Sequence, residues 1–212
     1  MSLEHLAEMC PHCRDELQFV RKQLSKGSKD ASVPVVQAVF KDTLAEMSRQ
    51  NRQAERDCRD LLALPLDKQL DKVRRSRRRF MGSRLVQLLL NQAEQHFMSN
   101  PERAHHYAGL ARAVILHSPA ETASLELEAL IYAYQGNARR AAGNLEEAEQ
   151  LFLSARHIVH HYPVTEPAIL GRIDELEGSL RKDQGRIGEA EELLSRALLL
   201  FGMTGMTGEA AR

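Results

Sequence analysis

The sequence predicts an all-α protein, a small Cys/His-containing helical hairpin followed by a stack of about three helix pairs. Three observations predict it. Aromatic residues make up 5% of the 212 positions, Trp is absent, and Ala, Leu, Glu, Arg and Gln dominate, which are among the better helix formers. A stretch from Gly136 to Ala155, GNARRAAGNLEEAEQLFLSA, is copied from Gly178 to Ala197 as GSLRKDQGRIGEAEELLSRA. Gly136 matches Gly178, Gly143 matches Gly185, Ala148 matches Ala190, Phe152 matches Leu194, and Ala155 matches Ala197. Self-similarity at a fixed period is the signature of a repeat array. Lastly, Leu6, Met9, Cys13, Leu17, Val20 and Leu24 follow helical spacing near the N-terminus.

Residues 1–25 form the predicted hairpin, with Pro11 interrupting the pattern and starting a new turn. Residues 26–34, inside the stretch SKGSKDASVP, read as a linker closed by Pro34. Connecting helices follow over 35–80. The first runs from Val35 to about Leu62, with Val36, Val39, Phe40, Leu44 and Met47 on one stripe. Its second half is polar nearly all round, which predicts an exposed spacer or half of a coiled coil. Cys58 within it reads as structural or incidental. A break at Pro65 precedes a basic cluster of Lys72, Arg74, Arg75, Arg77, Arg78 and Arg79.

The repeats occupy 81–202, in pairs near 83–116, 121–160 and 166–201, with a tail over 203–212. The first pair is split near Ser99-Asn100-Pro101, with proline at the first helical position. In it Ala104, Ala108 and Ala111 take the offsets of Ala148, Phe152 and Ala155, and Gln92 stands where Gly136 and Gly178 stand. The step is 44 residues from Ala104 to Ala148 and 42 from Ala148 to Ala190. No polar capping helix follows. The leucine-rich end at Leu193, Leu194 and Leu198 to Leu200 therefore needs cover from the long helix, a second copy in a homodimer, or a partner.

Small residues where two helices touch, a glycine closing the first helix and an amphipathic second helix resemble the tetratricopeptide repeat. The resemblance implies a face, lined by the first helix of each pair, that holds a partner peptide or helix. On that basis the candidate groove residues are His96, Asn137, Arg140, Arg172, Glu175, Ser179 and Lys182. Asn137 stands where clamp-type members place an asparagine that grips a peptide backbone or terminal carboxylate, and Arg172 falls near a basic clamp position. The other clamp positions do not match.

The N-terminal His5, Cys10 and Cys13 are similar to the His/Cys knuckle of zinc-binding anti-sigma factors. A Cys-x-x-Cys pair with a nearby imidazole can wrap tetrahedral zinc. One extra residue separates His5 from Cys10, and the family's upstream fourth ligand has no counterpart. His12, Glu8, water or a group from another chain could supply it. Packing of the cysteines as small apolar residues stays open beside the zinc reading. The whole combination resembles bacterial proteins that join such a knuckle to a tetratricopeptide-like array. It implies a regulatory adaptor, with a zinc- or redox-responsive anti-sigma-like regulator as the alternative.

Lys plus Arg equals Asp plus Glu at 29 each, so no global charge draws the chain to nucleic acid or to anionic membrane. The basic cluster lacks interleaved aromatics, so a solvated helix face or an acidic docking partner accounts for it better than nucleic-acid phosphate does. No apolar run nears the ~20 residues that span a bilayer. No basic segment followed by an apolar core marks a secretory signal. Three cysteines, an odd number, fit a reducing cytoplasm.

Catalysis is not expected. His105-His106 and His160-His161 are adjacent pairs that point about 100° apart on a helix. Glu146-Glu147 and Glu191-Glu192 lie on charged helix faces, with no apolar pocket to tune them. If the knuckle holds zinc, purified protein carries about one ion per chain and Cys10→Ser loses it; metal-free wild-type protein, measured by atomic absorption, would overturn the zinc reading.

Overall fold

The computed structural model describes residues 32–76, 79–118, 124–162, 164 and 166–203. The chain divides into two compact units, Met1–Arg49 and Gln50–Arg212. Helix α1 (Ser32–Leu62) begins in the first and ends in the second. It takes up the last three residues of the predicted linker, and Pro34 is accommodated because it lies in the first turn, where its missing N–H costs nothing. In the first unit, Phe40 and Met47 of α1 are exposed, and Arg49 pairs with Glu46 at 2.6 Å.

The second unit continues with α2 (Leu66–Arg75), α3 (Ser83–His96), α4 (Pro101–His117), α5 (Leu125–Ala141), α6 (Leu145–His161), α7 (Pro167–Asp183) and α8 (Ile187–Met203). No strand occurs among the described residues. Helices α3–α4, α5–α6 and α7–α8 form three successive hairpins. The hairpins stack through α4 on α5 and α5 on α7, and α2 lies against α4. The three predicted pairs are present, each boundary within a few residues of its expected place.

Local chemistry sets the ends. The Asn100 side chain accepts a hydrogen bond from the Arg103 N–H, and Pro101 fills the first position of α4. Helices α5 and α7 both close on a glycine in the left-handed region, Gly143 (φ +83°) and Gly185 (φ +75°). The next amide then turns back, from Asn144 to the Arg139 carbonyl (2.9 Å) and from Arg186 to the Arg181 carbonyl (2.8 Å). That pattern satisfies carbonyls a helix end would otherwise leave unpaired.

The other repeated glycines work by size. A Cβ at Gly136 would lie 3.0 Å from the Phe152 ring, and one at Gly178 would lie 3.0 Å from Leu194 Cγ. The recurring glycine–large-residue offset is thus the crossing contact of each hairpin, where the first helix yields room to the second. A mid-helix glycine costs about 1 kcal/mol against alanine, and the close approach offsets it. Around these crossings one continuous apolar core runs from Ala54 and Leu61 through Leu85, Leu89, Leu110 and Ile131 to Phe152, Ile173 and Leu180.

One feature departs from the sequence reading. The polar second half of α1 is not a free spacer: Ala54, Cys58 and Leu61 are buried. Asp57 is buried as well and accepts a hydrogen bond from Arg79 Nε at 2.6 Å, while Arg79 also reaches Asp60. The guanidinium then lies 4.8 Å from the centre of the buried Phe80 ring. The spacer expectation fails because Ala54, Cys58 and Leu61, spaced four and three apart, make a narrow apolar stripe that joins the core. Cys58 is structural, its thiol pKa raised by burial.

At the other end, α8 packs on α7 and leaves Leu198, Leu199 and Met203 exposed at 66, 71 and 76%. The crossing contacts predict that Gly136→Val lowers stability to urea by about 1–3 kcal/mol through overpacking against Phe152. An unchanged or raised midpoint would contradict the close approach.

Candidate functional site

The face expected to bind a partner is built by α3, α5 and α7. Arg172 on α7 is its hub. The guanidinium reaches Glu94 on α3 (2.5 Å) and Glu175 one turn along its own helix (2.7 Å). It also donates to the Tyr134 hydroxyl on α5 (3.2 Å) and lies 5.3 Å from that ring's centre. Tyr134 in turn donates to Glu94 at 3.1 Å. One cluster therefore draws on the first helix of every pair.

Its electrostatics follow from burial against charge. Burial works against the charge on Arg172, but Tyr134, Glu175 and Glu94 outweigh it and hold the pKa above the ordinary arginine value. Burial pushes the Tyr134 phenol up to about 12, with Arg172 pulling the other way. At neutral pH the cluster is a cation, a neutral phenol and carboxylates that complement it.

The remaining candidates lie on the same helices and differ in what they can offer. Asn137 is buried, and its Oδ1 accepts from Arg140 Nε at 2.8 Å. Arg140 also pairs with Asp183 on α7 at 2.5 Å. Arg140 thereby ties the second hairpin to the third, and Asn137 holds its guanidinium from within α5. Ser179 turns its hydroxyl back to the Glu175 carbonyl (3.2 Å), and Lys182 is exposed. His96 lies half-buried with its ring centre 5.6 Å from that of Tyr107. Sequence reasoning missed Glu94 and Tyr134. The available signal was weak: two tyrosines, Tyr132 and Tyr134, in a helix otherwise rich in small residues.

Other candidates disperse. Lys72, Arg74 and Arg75 are exposed on α2, with Arg75 3.8 Å from Asp71. Arg79 is withdrawn into its pairs with Asp57 and Asp60, and Arg77 and Arg78 lie outside the described residues. His106 bonds Gln69 at 3.0 Å, and His161 bonds the His157 carbonyl at 2.8 Å. Glu146, Glu147, Glu191 and Glu192 are exposed, with Glu147 paired to Arg139 at 3.0 Å. His5, Cys10, His12 and Cys13 lie outside the described residues. Among those described, no group of three or more potential ligands could hold a metal, and no helix is long and apolar enough to cross a membrane.

Comparison with known proteins yields no match to a family model, a curated protein or a solved structure.

Proposed function

We propose that this chain is a protein–protein interaction scaffold, a regulatory adaptor that holds a partner peptide or helix against the first helices of its stack. One observation carries the reading. Arg172, Tyr134 and Glu94 converge from three hairpins on a single face, each side chain fixed by the others. Arginine held rigid loses little entropy when a partner arrives and is over-represented among residues that dominate interface energy, while the almost fully buried Tyr134 holds Arg172 in place. Further along α7, Ser179 keeps its hydroxyl oxygen as an acceptor and Lys182 adds an exposed charge. The tetratricopeptide resemblance implies the same face.

A photo-crosslinking residue at Lys182 tests it in native lysate, with the exposed Glu191 on α8 as the comparison position. The partner captured at 182 is then purified, and its Kd measured with wild type, Lys182→Glu and Arg172→Met, folding being checked by circular dichroism. The proposal expects capture at 182 and not at 191, and at least about tenfold weaker binding for Arg172→Met. Equal capture at both positions, or a Kd unchanged by both substitutions in folded protein, would overturn it.

A further inference from the structure

We propose that the outer face of α8 is a self-association surface, on which the α8 of a second copy of this chain packs antiparallel about a two-fold axis through Ser195. Five of its side chains, Ile187, Leu194, Leu198, Leu199 and Met203, are large, apolar and exposed. Apolar surface gathered in this way on one helix marks an interaction site. From Leu193 to Met203 the one charged residue is Arg196, and Asp174 holds it.

In the two earlier pairs the same register is covered. The place of Leu194 is taken by Ala108 on α4 and Phe152 on α6, both fully buried, whereas Leu194 is 37% exposed. The place of Leu198 is taken by Arg112 and Arg156, which reach Tyr132 on α5 and Asp174 on α7, each on the first helix of the next pair. The outer face of α8 therefore continues a helix-to-helix interface that the stack already uses twice. Leucine at that place cannot pair with a phenol or a carboxylate, so the face suits an apolar occupant.

A second α8 is that occupant because the face matches itself. Gly188 and Gly202 lie seven residues to either side of Ser195, and all three are exposed along one line of the helix. The same places on α6 hold Glu146, Leu153 and His160. A Cβ on Gly188 or Gly202 would meet nothing within 4 Å, so packing inside the chain calls for neither glycine. Ile187 and Met203 lie eight residues to either side of Ser195, 51 and 76% exposed. An antiparallel pair centred on Ser195 sets Gly188 level with Gly202 of the second copy and lets two helices about 25 Å long approach closely. Ile187 and Met203 then flank each end of the seam. The stems of Glu191 and Glu192 lie beside Leu199 and Leu198 of the second copy, with their carboxylates in water. Head-to-tail stacking has no such match, because α3, the first helix of the first pair, exposes no large apolar residue. A two-fold pair covers both faces at once and closes.

The test is sedimentation velocity of the full chain at concentrations from about 1 to about 200 µM. One helix face makes a small interface, so a monomer–dimer equilibrium with a micromolar Kd is expected. Leu198→Arg restores the residue that α4 and α6 carry at this place, and Ser195→Lys sets two like charges on the axis. Both positions are exposed, and each change is expected to weaken the dimer at least about tenfold with helicity by circular dichroism unchanged. Met47→Glu, at an exposed apolar residue of α1, leaves the Kd as it is. A photo-crosslinking residue at Glu191 in the purified chain joins two copies, whereas the partner of the Arg172 face is captured at 182, so the two readings fail separately. A monomer at about 200 µM, a mass that keeps rising beyond the dimer, or a Kd unmoved by both α8 substitutions would overturn the proposal.

Discussion

Asp174 is 1% exposed and carries two arginines, and the arrangement of the last two hairpins depends on that pairing. Arg156 on α6 approaches it at 2.6 Å, and Arg196 on α8 grips both its oxygens at 2.5 and 2.7 Å. Arg156 continues to Glu177 (2.6 Å), which accepts from Arg181 (2.7 Å), which pairs with Glu149 back on α6 (2.7 Å). Gln184 closes the loop by donating to Glu149 at 3.0 Å. A carboxylate taken out of water costs several kcal/mol unless it is paired and its lone pairs are filled. With both arginines present, α7 has one favourable position between α6 and α8. Lacking either, the buried charge would favour repacking.

The same device is used once earlier in the stack and then stops. Arg112, one step before Arg156 in the repeat register, reaches forward from the first hairpin to Tyr132 on the next. Arg156 reaches forward from the second to Asp174 and Glu177. At the equivalent place in the third hairpin stands Leu198, exposed on α8. Each forward arginine joins a second helix to the first helix of the following pair, so the leucine marks where the series of polar links ends. Fixing hairpin to hairpin in this way also aligns α3, α5 and α7, which is what brings Arg172 within reach of Glu94.

Much of this architecture was legible. Glycine recurs at two offsets for two separate reasons, a left-handed helix end at Gly143 and Gly185 and a close crossing at Gly136 and Gly178. Both constraints are strict enough to leave a trace in the sequence. Pro65 and Asn100-Pro101 marked helix starts on equally firm grounds, one lacking a donor and the other supplying a cap. The charge network left no comparable trace. Asp174, Glu177 and Arg181 are spaced three and four apart and read as the solvated face of α7, beside an apolar stripe of Ile169, Ile173, Leu176 and Leu180. Only the positions of α6 and α8 bury them. The same ambiguity affected the expected binding face: Asn137 and Arg140 were legible as polar residues of a first helix, but not as partners already engaged with each other and with Asp183.

The most direct measurement is a double-substitution cycle on Arg156 and Asp174, followed by urea unfolding. Asp174→Asn alone is expected to cost about 2–3 kcal/mol, since it removes the charge from the hydrogen bonds that Arg156 and Arg196 make to this buried position. Combining it with Arg156→Met should recover part of that loss, giving a coupling energy of about 1–3 kcal/mol. Additive losses within about 0.5 kcal/mol, or an Asp174→Asn variant as stable as wild type, would contradict the claim that this buried pairing sets the position of the last hairpin.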